Sequence, residues 1–288
     1  MGSSIRLGVS SQYLSAQELD FLADHTCEED SIYLEISRLK GFESNPLLMP
    51  TAIRDQILLN EENVLANLFP GLSLECAAHN LASRLDRCLV ASLASLISPE
   101  SAILETGTYG GFTTAIIAFV LDRNGFNNNL FTIDLPTSEM VTQVHHIDVS
   151  SIGSCIPDRL RKYVIQIFND AKVALPSILA DNCVELFIHD SLHTITHMMF
   201  EYVVSRTLMP PYSILASDDI LWNSSFVEFV RMFECPFWVC KSNPNYGFAV
   251  NVPHPQERQY SWGPQPIGSY MKAMRSRSVA STFKGLKV

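Results

Sequence analysis

Three aspartates stand directly after apolar runs of strand length and could act together on one ligand. Asp190 follows the run Val184–Ile188, and Asp218 and Asp219 follow Ser213–Ala216. If these runs are neighbouring parallel strands, the three carboxylates meet at one edge of the sheet, where their repulsion requires a cation or shared protons. Oxygen ligands favour a hard divalent cation, Mg²⁺ first, with Mn²⁺ or Ca²⁺ as alternatives. Helix capping is the other role open to each aspartate.

A histidine three residues after Asp190 is the candidate catalytic base. His193 is expected to open the next helix beside the proposed metal, where it could take a proton from an acceptor hydroxyl. A metal would itself lower the pKa of that hydroxyl, so His193 need not act alone. His189 and His197 are weaker candidates, and His197 is assigned to packing or to the pocket wall. The pair His145-His146 is expected in a solvated loop, with the acceptor pocket as the alternative. The chain has no HExxH motif and no Cys/His spacing typical of zinc.

A glycine loop follows the apolar run Ala102–Leu104, with Gly107 and Gly111 in it and Glu105 just before it. Glycines let the backbone turn tightly and approach a ligand, and the helix that follows offers free N–H groups. The carboxylate of Glu105 would repel a pyrophosphate but suits an ammonium group, such as that of the methionine part of S-adenosyl-L-methionine (SAM). A clean GxGxxG pattern, typical of dinucleotide binding, is missing.

A further acid, Asp134, follows the next apolar run, Leu130–Ile133, about twenty residues beyond the glycine loop. An acid at this place can accept hydrogen bonds from both ribose hydroxyls of an adenosine. The alternative is that the glycines serve only a turn and that Asp134 caps a helix. The order strand, loop, helix, strand and acid favours a nucleoside ligand.

The elements that must position these residues alternate along the chain. From Ala102 to Ala216, short apolar runs alternate with helical segments, which predicts parallel strands joined by helical crossovers. Two last runs, Phe237–Lys241 and Tyr246–Val250, are separated by Ser-Asn-Pro-Asn and predict an antiparallel hairpin. The expected fold class is therefore α/β, a doubly wound, mostly parallel sheet that ends in a hairpin.

The first part of the chain predicts helices instead of strands. Ser15 and Glu18 have the spacing of a capping box, and helical segments are expected at Thr51–Phe69 and Ser73–Leu96. We divide the chain into a helical N-terminal extension or cap at residues 1–72, the sheet domain at residues 73–253 and a basic tail at residues 254–288.

Composition excludes several classes of protein. A formal net charge of −10 argues against a partner with a phosphate backbone, so no nucleic acid is expected. No apolar run reaches the ~20 residues of a membrane span, and the start of the chain does not resemble a signal peptide. The seven cysteines form no CxxC motif and suit reduced thiols in a cytoplasmic protein without a membrane partner.

Four stretches together carry a family resemblance. They are Glu-Thr-Gly-Thr-Tyr-Gly-Gly-Phe-Thr-Thr from Glu105, Phe-Thr-Ile-Asp-Leu-Pro from Phe131, His-Asp-Ser-Leu-His from His189 and Ser-Asp-Asp-Ile from Ser217. In combination they resemble class I SAM-dependent methyltransferases, and within these the macrocin, catechol and caffeoyl-CoA O-methyltransferases. The resemblance covers about Ser101–Val250, so the sheet domain is expected to be the SAM-binding methyltransferase domain.

The resemblance implies roles for individual residues. SAM contacts are implied at Glu105, Gly107, Thr108, Tyr109, Gly111, Thr113, Asp134 and Asp170, the last of these beside the adenine. The metal-dependent members place ligands where this chain has Asp190, Asp218 and Asp219. Catechol-type enzymes have a lysine base at the position of His193, and Trp222 and Asn223 could face the acceptor.

The function implied is a SAM-dependent, Mg²⁺-dependent O-methyltransferase. Its acceptor would be a hydroxyl of a small molecule, such as a sugar, a catechol-like ring or a natural product, and a homodimer is plausible. Three alternatives stay open: a hydroxylase-like enzyme on the same fold, a metal-independent N-methyltransferase and a non-catalytic SAM-binding subunit.

Overall fold

The computed structural model describes residues 13–59, 85–135, 152–154 and 156–253 of the chain. Within these ranges, eight strands form one sheet: β1 (Thr26–Cys27), β2 (Ala102–Thr106), β3 (Leu130–Asp134), β4 (Val164–Phe168), β5 (Val184–His189), β6 (Ile214–Ser217), β7 (Phe237–Cys240) and β8 (Gly247–Val250). The helices are α1 (Ala16–Ala23), α2 (Glu29–Lys40), α3 (Pro50–Leu59), α4 (Leu85–Leu93), α5 (Phe112–Asn124), α6 (Ala171–Asp181), α7 (Ile195–Leu208) and α8 (Ser225–Phe233). Short 3₁₀ turns lie at Pro46–Leu48, Ala94–Leu96 and Asp158–Tyr163.

The strand order in the sheet is β1-β7-β8-β6-β5-β2-β3-β4. Neighbouring strands are parallel except at β8, which runs antiparallel to both β6 and β7. The chain passes from β2 through β3 to β4 and then returns to β5 on the other side of β2. The strand order therefore reverses between β2 and β5, and ligands of such sheets bind at the carboxyl ends of the strands beside this reversal. The predicted doubly wound sheet with a closing hairpin is confirmed.

Helices cover both faces of the sheet. Ile103 of β2 packs in a buried cluster with α2, α3, α4 and α5, whereas its neighbour Leu104 packs in a second cluster with α1, α6, α7 and α8. Because both faces are covered, all five residues of β2 are buried, as expected of a central parallel strand. None of the described helices has the length and apolar character that crossing a bilayer requires.

The N-terminal segment contributes to the same sheet. The capping box is confirmed: the Glu18 backbone N–H donates to Ser15 Oγ at 3.3 Å, and the Ser15 N–H donates to Glu18 Oε2 at 2.8 Å. Strand β1 was not predicted, because two residues carry no periodic pattern; it pairs with β7 in parallel. The predicted domain boundary at 72/73 and the basic tail lie outside the described residues and stay predictions.

Candidate active site

The glycine loop joins β2 to α5 beside the end of β5. Gly107 has φ +86° and Gly111 has φ +83°, a region that residues with a side chain rarely adopt. A Cβ atom on Gly107 would lie 1.8 Å from the carbonyl oxygen of Asp190, so the loop can touch β5 only at a glycine. Helix α5 begins at Phe112, directly after Gly111, and directs its free N–H groups to the same place.

Glu105 is a buried carboxyl group at the end of β2. It accepts a 2.5 Å hydrogen bond from the Thr114 hydroxyl in the first turns of α5. Burial raises the pKa of Glu105 to about 8, against the lowering effects of the Thr114 hydrogen bond and of the Arg87 charge. A carboxyl group in this state gains a strong partner when a ligand brings an ammonium group to it. The geometry fits the methionyl contact that the sequence predicts.

Asp134 lies at the end of β3, next to the glycine loop. Its Oδ2 accepts from the backbone N–H of Tyr109 at 3.0 Å, and its Oδ1 accepts from that of Leu135 at 2.8 Å. Each carboxylate oxygen retains a further lone pair, so both can also accept from ribose hydroxyls. Tyr109 itself has φ +46° and an exposed ring.

The other residues predicted to contact SAM surround this loop. Thr108 and Thr113 are both buried, and the Thr108 carbonyl accepts from the Gly111 N–H at 2.7 Å. Asp170 caps α6 by accepting from the Lys172 N–H at 2.8 Å. Its neighbour Asn169 donates its backbone N–H to the Asp134 carbonyl at 2.8 Å, which brings this turn to the end of β3. The cap gives Asp170 a structural role, and its contact with adenine stays a prediction.

Two of the three predicted metal carboxylates, Asp190 and Asp218, follow adjacent strand ends. The strand ends are tied by the Asp218 N–H, which donates to the His189 carbonyl at 2.9 Å. Burial and then the charge of Asp218 raise the pKa of Asp190 well above its usual range, whereas Asp219 contributes less. The charges of Asp190 and Asp218 therefore act on each other.

The third carboxylate, Asp219, is directed elsewhere. Its Oδ2 lies 3.2 Å from His193 Nδ1, and its Oδ1 accepts from the side-chain amide of Asn245. Among the residues that the structure describes, no three His, Cys, Asp or Glu side chains converge where they could hold one metal ion. Asp219 thus pairs with His193, and Asp190 and Asp218, whose charges interact, form what we call the Asp190/Asp218 pair. A metal held by all three carboxylates stays a prediction.

His193 is oriented by several partners. The Asn223 amide donates to the His193 carbonyl at 3.2 Å, and Asn223 is buried. That Asn223 faces the acceptor stays a prediction. His193 Nε2 is buried and has no hydrogen-bond partner. Burial lowers the pKa of His193 to about 4, partly offset by Asp219, so the ring is neutral at physiological pH. Trp222 is half-exposed, lies 6.5 Å from the His193 ring and stacks on Tyr13 at 5.6 Å.

A buried network beneath this loop was missed by the sequence analysis. Glu201 Oε2 lies 2.6 Å from His189 Nδ1, and Oε1 lies 2.8 Å from His197 Nε2. The hydroxyls of Thr106 and Ser191 donate to the same carboxylate at 2.7 Å and 3.0 Å. Burial acts to raise the pKa of Glu201, but His189 and His197 outweigh it and lower the pKa to about 2. The i,i+4 spacing of His197 and Glu201 on α7 was the only local signal of this network.

The pair His145-His146 lies outside the described residues. Nothing in the described parts of the chain therefore bears on whether these histidines line the acceptor pocket.

Part of the chain matches a known protein family. The family model described as a methyltransferase domain matches residues 104–220, which run from β2 to the end of β6 and include the glycine loop and all the strand-end carboxylates. The search of curated proteins finds no match.

Several solved structures are similar to the chain. The O-methyltransferase TomG of Streptomyces achromogenes, involved in tomaymycin synthesis and solved with SAM, is similar at 15% identity and a TM-score of 0.43, covering 78% of this chain and 97% of that one. An O-methyltransferase of Bacillus cereus with S-adenosylhomocysteine (SAH) is similar at 14% identity and a TM-score of 0.41, covering 81% and 100%. The O-methyltransferase NovP is similar at 12% identity and a TM-score of 0.46, covering 60% and 81%. Likenesses of this strength carry no argument about acceptor, metal or site residues.

The family match falls on the part of the chain where the sheet reverses and where Glu105 and Asp134 flank the glycine loop. The chain therefore contains a methyltransferase domain, which the family model matches at residues 104–220.

Proposed function

We propose that this methyltransferase transfers the methyl group of SAM to a hydroxyl oxygen of a small molecule. The observation that carries the proposal is Nε2 of His193, an atom without a hydrogen-bond partner among the described residues, on a ring whose Nδ1 lies 3.2 Å from Asp219. A hydroxyl needs to lose its proton as it attacks, whereas a neutral amine already has a lone pair for attack. A placed base is therefore the feature that favours oxygen over nitrogen.

Asp219 sets the tautomer of this base. With Nδ1 of His193 3.2 Å from Asp219 Oδ2, the ring proton belongs on Nδ1, where it donates to the carboxylate. The lone pair then lies on Nε2, which accepts the hydroxyl proton. Because the pKa of His193 is lowered to about 4, the ring is in its basic form but is a weak base on its own. A second group that lowers the pKa of the acceptor hydroxyl would make this proton transfer easier.

A divalent cation, Mg²⁺ in the first place, is proposed at Asp190 and Asp218. Mg²⁺ in proteins is bound by one or two carboxylates and keeps several waters, so two carboxylates at adjacent strand ends fit it, while Asp219 pairs with His193. The raised pKa of Asp190 fits such a donor pair, since the charge of Asp218 contributes to it and neighbouring carboxylates repel until a cation or proton lies between them. When bound, the cation would neutralise the pair and lower the pKa of a nearby hydroxyl.

The acceptor is proposed to be a small molecule that lies against Trp222. The indole is half-exposed beside His193 and offers an apolar wall to a ring, while the chain's polar groups act at one edge of that ring. SAM, when bound, supplies an activated methyl group whose transfer forms a C–O bond, breaks the S–C bond and leaves SAH. The alignment of the hydroxyl with that methyl group is the main task left to the protein. The homodimer and the cytoplasmic location expected from the sequence stay predictions.

The test is SAH formation from SAM with a panel of catechols, hydroxy acids and sugars. We expect turnover with a hydroxylated acceptor, a fall in kcat of about 100-fold in His193→Gln, and unchanged SAH affinity by calorimetry. His25→Gln is the matched control, because His25 directly precedes edge strand β1 and its Nδ1 lies 2.9 Å from the Phe21 carbonyl oxygen. A His193→Gln enzyme with full kcat would refute the base.

Chelation tests the cation separately. If Asp190 and Asp218 hold Mg²⁺, excess EDTA abolishes turnover while SAH binding survives, and added Mg²⁺ restores it. Full turnover in EDTA would refute the cation but leave the role of His193 standing.

A further inference from the structure

Arg87 lies beside the helix that follows the glycine loop. It lies near the beginning of described helix α4, and its guanidinium carbon is 5.7 Å from the centre of the Phe112 ring. Phe112 is the first residue of α5 and comes directly after Gly111, so Arg87 lies against the same helix N-terminus that the loop leads into. The neighbouring Asp86 is buried and accepts from the Asn243 amide at 3.0 Å, which holds this part of α4 against the β7–β8 turn.

The surroundings of Arg87 are acidic. Its positive charge acts on Glu105, lowering the pKa of that carboxyl group against the effect of burial. Glu105 lies near the end of β2, one of the two strands between which the sheet order reverses. Arg87 therefore lies within electrostatic range of the place where the methyl donor binds, although it comes before the family match begins.

The donor's methionyl end carries two opposite charges, an ammonium and a carboxylate. Glu105 supplies an anion for the ammonium, but the acids of this rim would repel the carboxylate. Free N–H groups at the start of α5 attract an anion, and a guanidinium beside them adds full charge and two parallel donors in the geometry of a carboxylate. The site thus needs a cation here, and Arg87 is in place to be it.

We propose that Arg87 binds the carboxylate of the methionyl part of SAM, opposite the ammonium contact of Glu105. The proposal rests on SAM as the methyl donor and is independent of the acceptor and of Mg²⁺. Arg87 then belongs to the cofactor site, contributed by the helix that precedes the first strand of the methyltransferase domain.

The test compares two ligands that differ only in that carboxylate. Calorimetry with SAH and with S-adenosyl-3-thiopropylamine, its decarboxylated form, is carried out on wild type, Arg87→Gln and Arg87→Lys. We expect Arg87→Gln to lose about 10- to 100-fold in affinity for SAH, the value of a charge-assisted hydrogen-bond pair, and to bind the decarboxylated ligand within about twofold of wild type. Arg87→Lys retains the charge but loses the bidentate geometry and should fall between them.

Controls separate the contact from folding. Arg38→Gln, on an exposed side chain of α2 paired with Glu35, should change neither affinity. If Arg87 only balanced Glu105, both ligands would weaken equally in Arg87→Gln, and that result overturns the proposal. Unchanged SAH affinity in Arg87→Gln also overturns it. If the wild type does not bind SAH, the proposal of SAM as the methyl donor is overturned as well. If no hydroxylated acceptor is methylated, the proposed function fails but the Arg87 contact stands.

Discussion

Raising the pH from 6 to 7 should strengthen SAH binding, because Glu105 must release a proton before it can pair with the ligand's ammonium group. Burial holds the pKa of Glu105 at about 8 in the ligand-free protein, so the group is mostly protonated in this range. The ligand's α-amino group stays charged below pH 7, since such groups have a reference pKa of about 7.7–8.0. Binding therefore favours the ionised form of Glu105 and draws its proton off.

The magnitude follows from the distance between the pH and this pKa. Ionising Glu105 costs about 2.7 kcal/mol at pH 6, two units below its pKa, and about 1.4 kcal/mol at pH 7. The Kd of SAH should thus fall about tenfold between pH 6 and pH 7, with close to one proton released per ligand bound. Above about pH 8 the Kd of SAH no longer falls, because Glu105 is already ionised without ligand.

Isothermal titration in buffers of different ionisation enthalpy measures both quantities. Glu105→Gln provides the control, because it keeps an acceptor for the Thr114 hydroxyl but has no proton to release. Its SAH affinity should be weaker and nearly independent of pH, which also separates Glu105 from the coupled Asp190/Asp218 pair. A wild-type Kd that does not change between pH 6 and 7, or proton release that persists in Glu105→Gln, would refute this reasoning.

Two substitutions test the scaffold of the site. Gly107→Ala places a Cβ 1.8 Å from the Asp190 carbonyl at a φ of +86°, and should lower the free energy of unfolding by about 3 kcal/mol and abolish SAH binding. The control Gly125→Ala has φ +66° but meets nothing within 4 Å, so urea unfolding should show only about 1 kcal/mol and intact binding; equal losses would disprove the close contact. Glu201→Gln should reduce the loss of stability in acid. Because the pKa of Glu201 is lowered to about 2, its carboxylate stabilises the fold fully above about pH 4.5. This contribution to the free energy of unfolding, about 3 kcal/mol, is lost as the pH falls toward 2. Denaturant unfolding at pH 3 and pH 6 measures it, and parallel stability curves for variant and wild type would contradict it.

The main features of the fold, and the edge of the sheet at which the candidate site residues lie, could be predicted from the sequence. Strand and helix runs of different period indicated a doubly wound sheet, and in such a sheet the residues after each strand must meet at one edge. Glu105, Gly107 and Asp134 follow from this rule alone, since their place depends on the order of elements and on short-range turn chemistry. The positions of Asp190 and Asp218 at adjacent strand ends follow for the same reason.

Only the tertiary structure decided which side chains form pairs. Strand β1 pairs with β7, more than two hundred residues further along the chain. The two residues of β1 are too few to show a pattern that predicts this pairing. Asp219 and Asp218 are neighbours in sequence, but the backbone of Asp219 adopts φ +55°, and Asp219 pairs with His193 while Asp218 couples to Asp190. Spacing along the chain determines the edge at which a carboxylate lies. The direction of that carboxylate depends on backbone torsions and on partners distant in sequence, which form only when the sheet and its helices have packed.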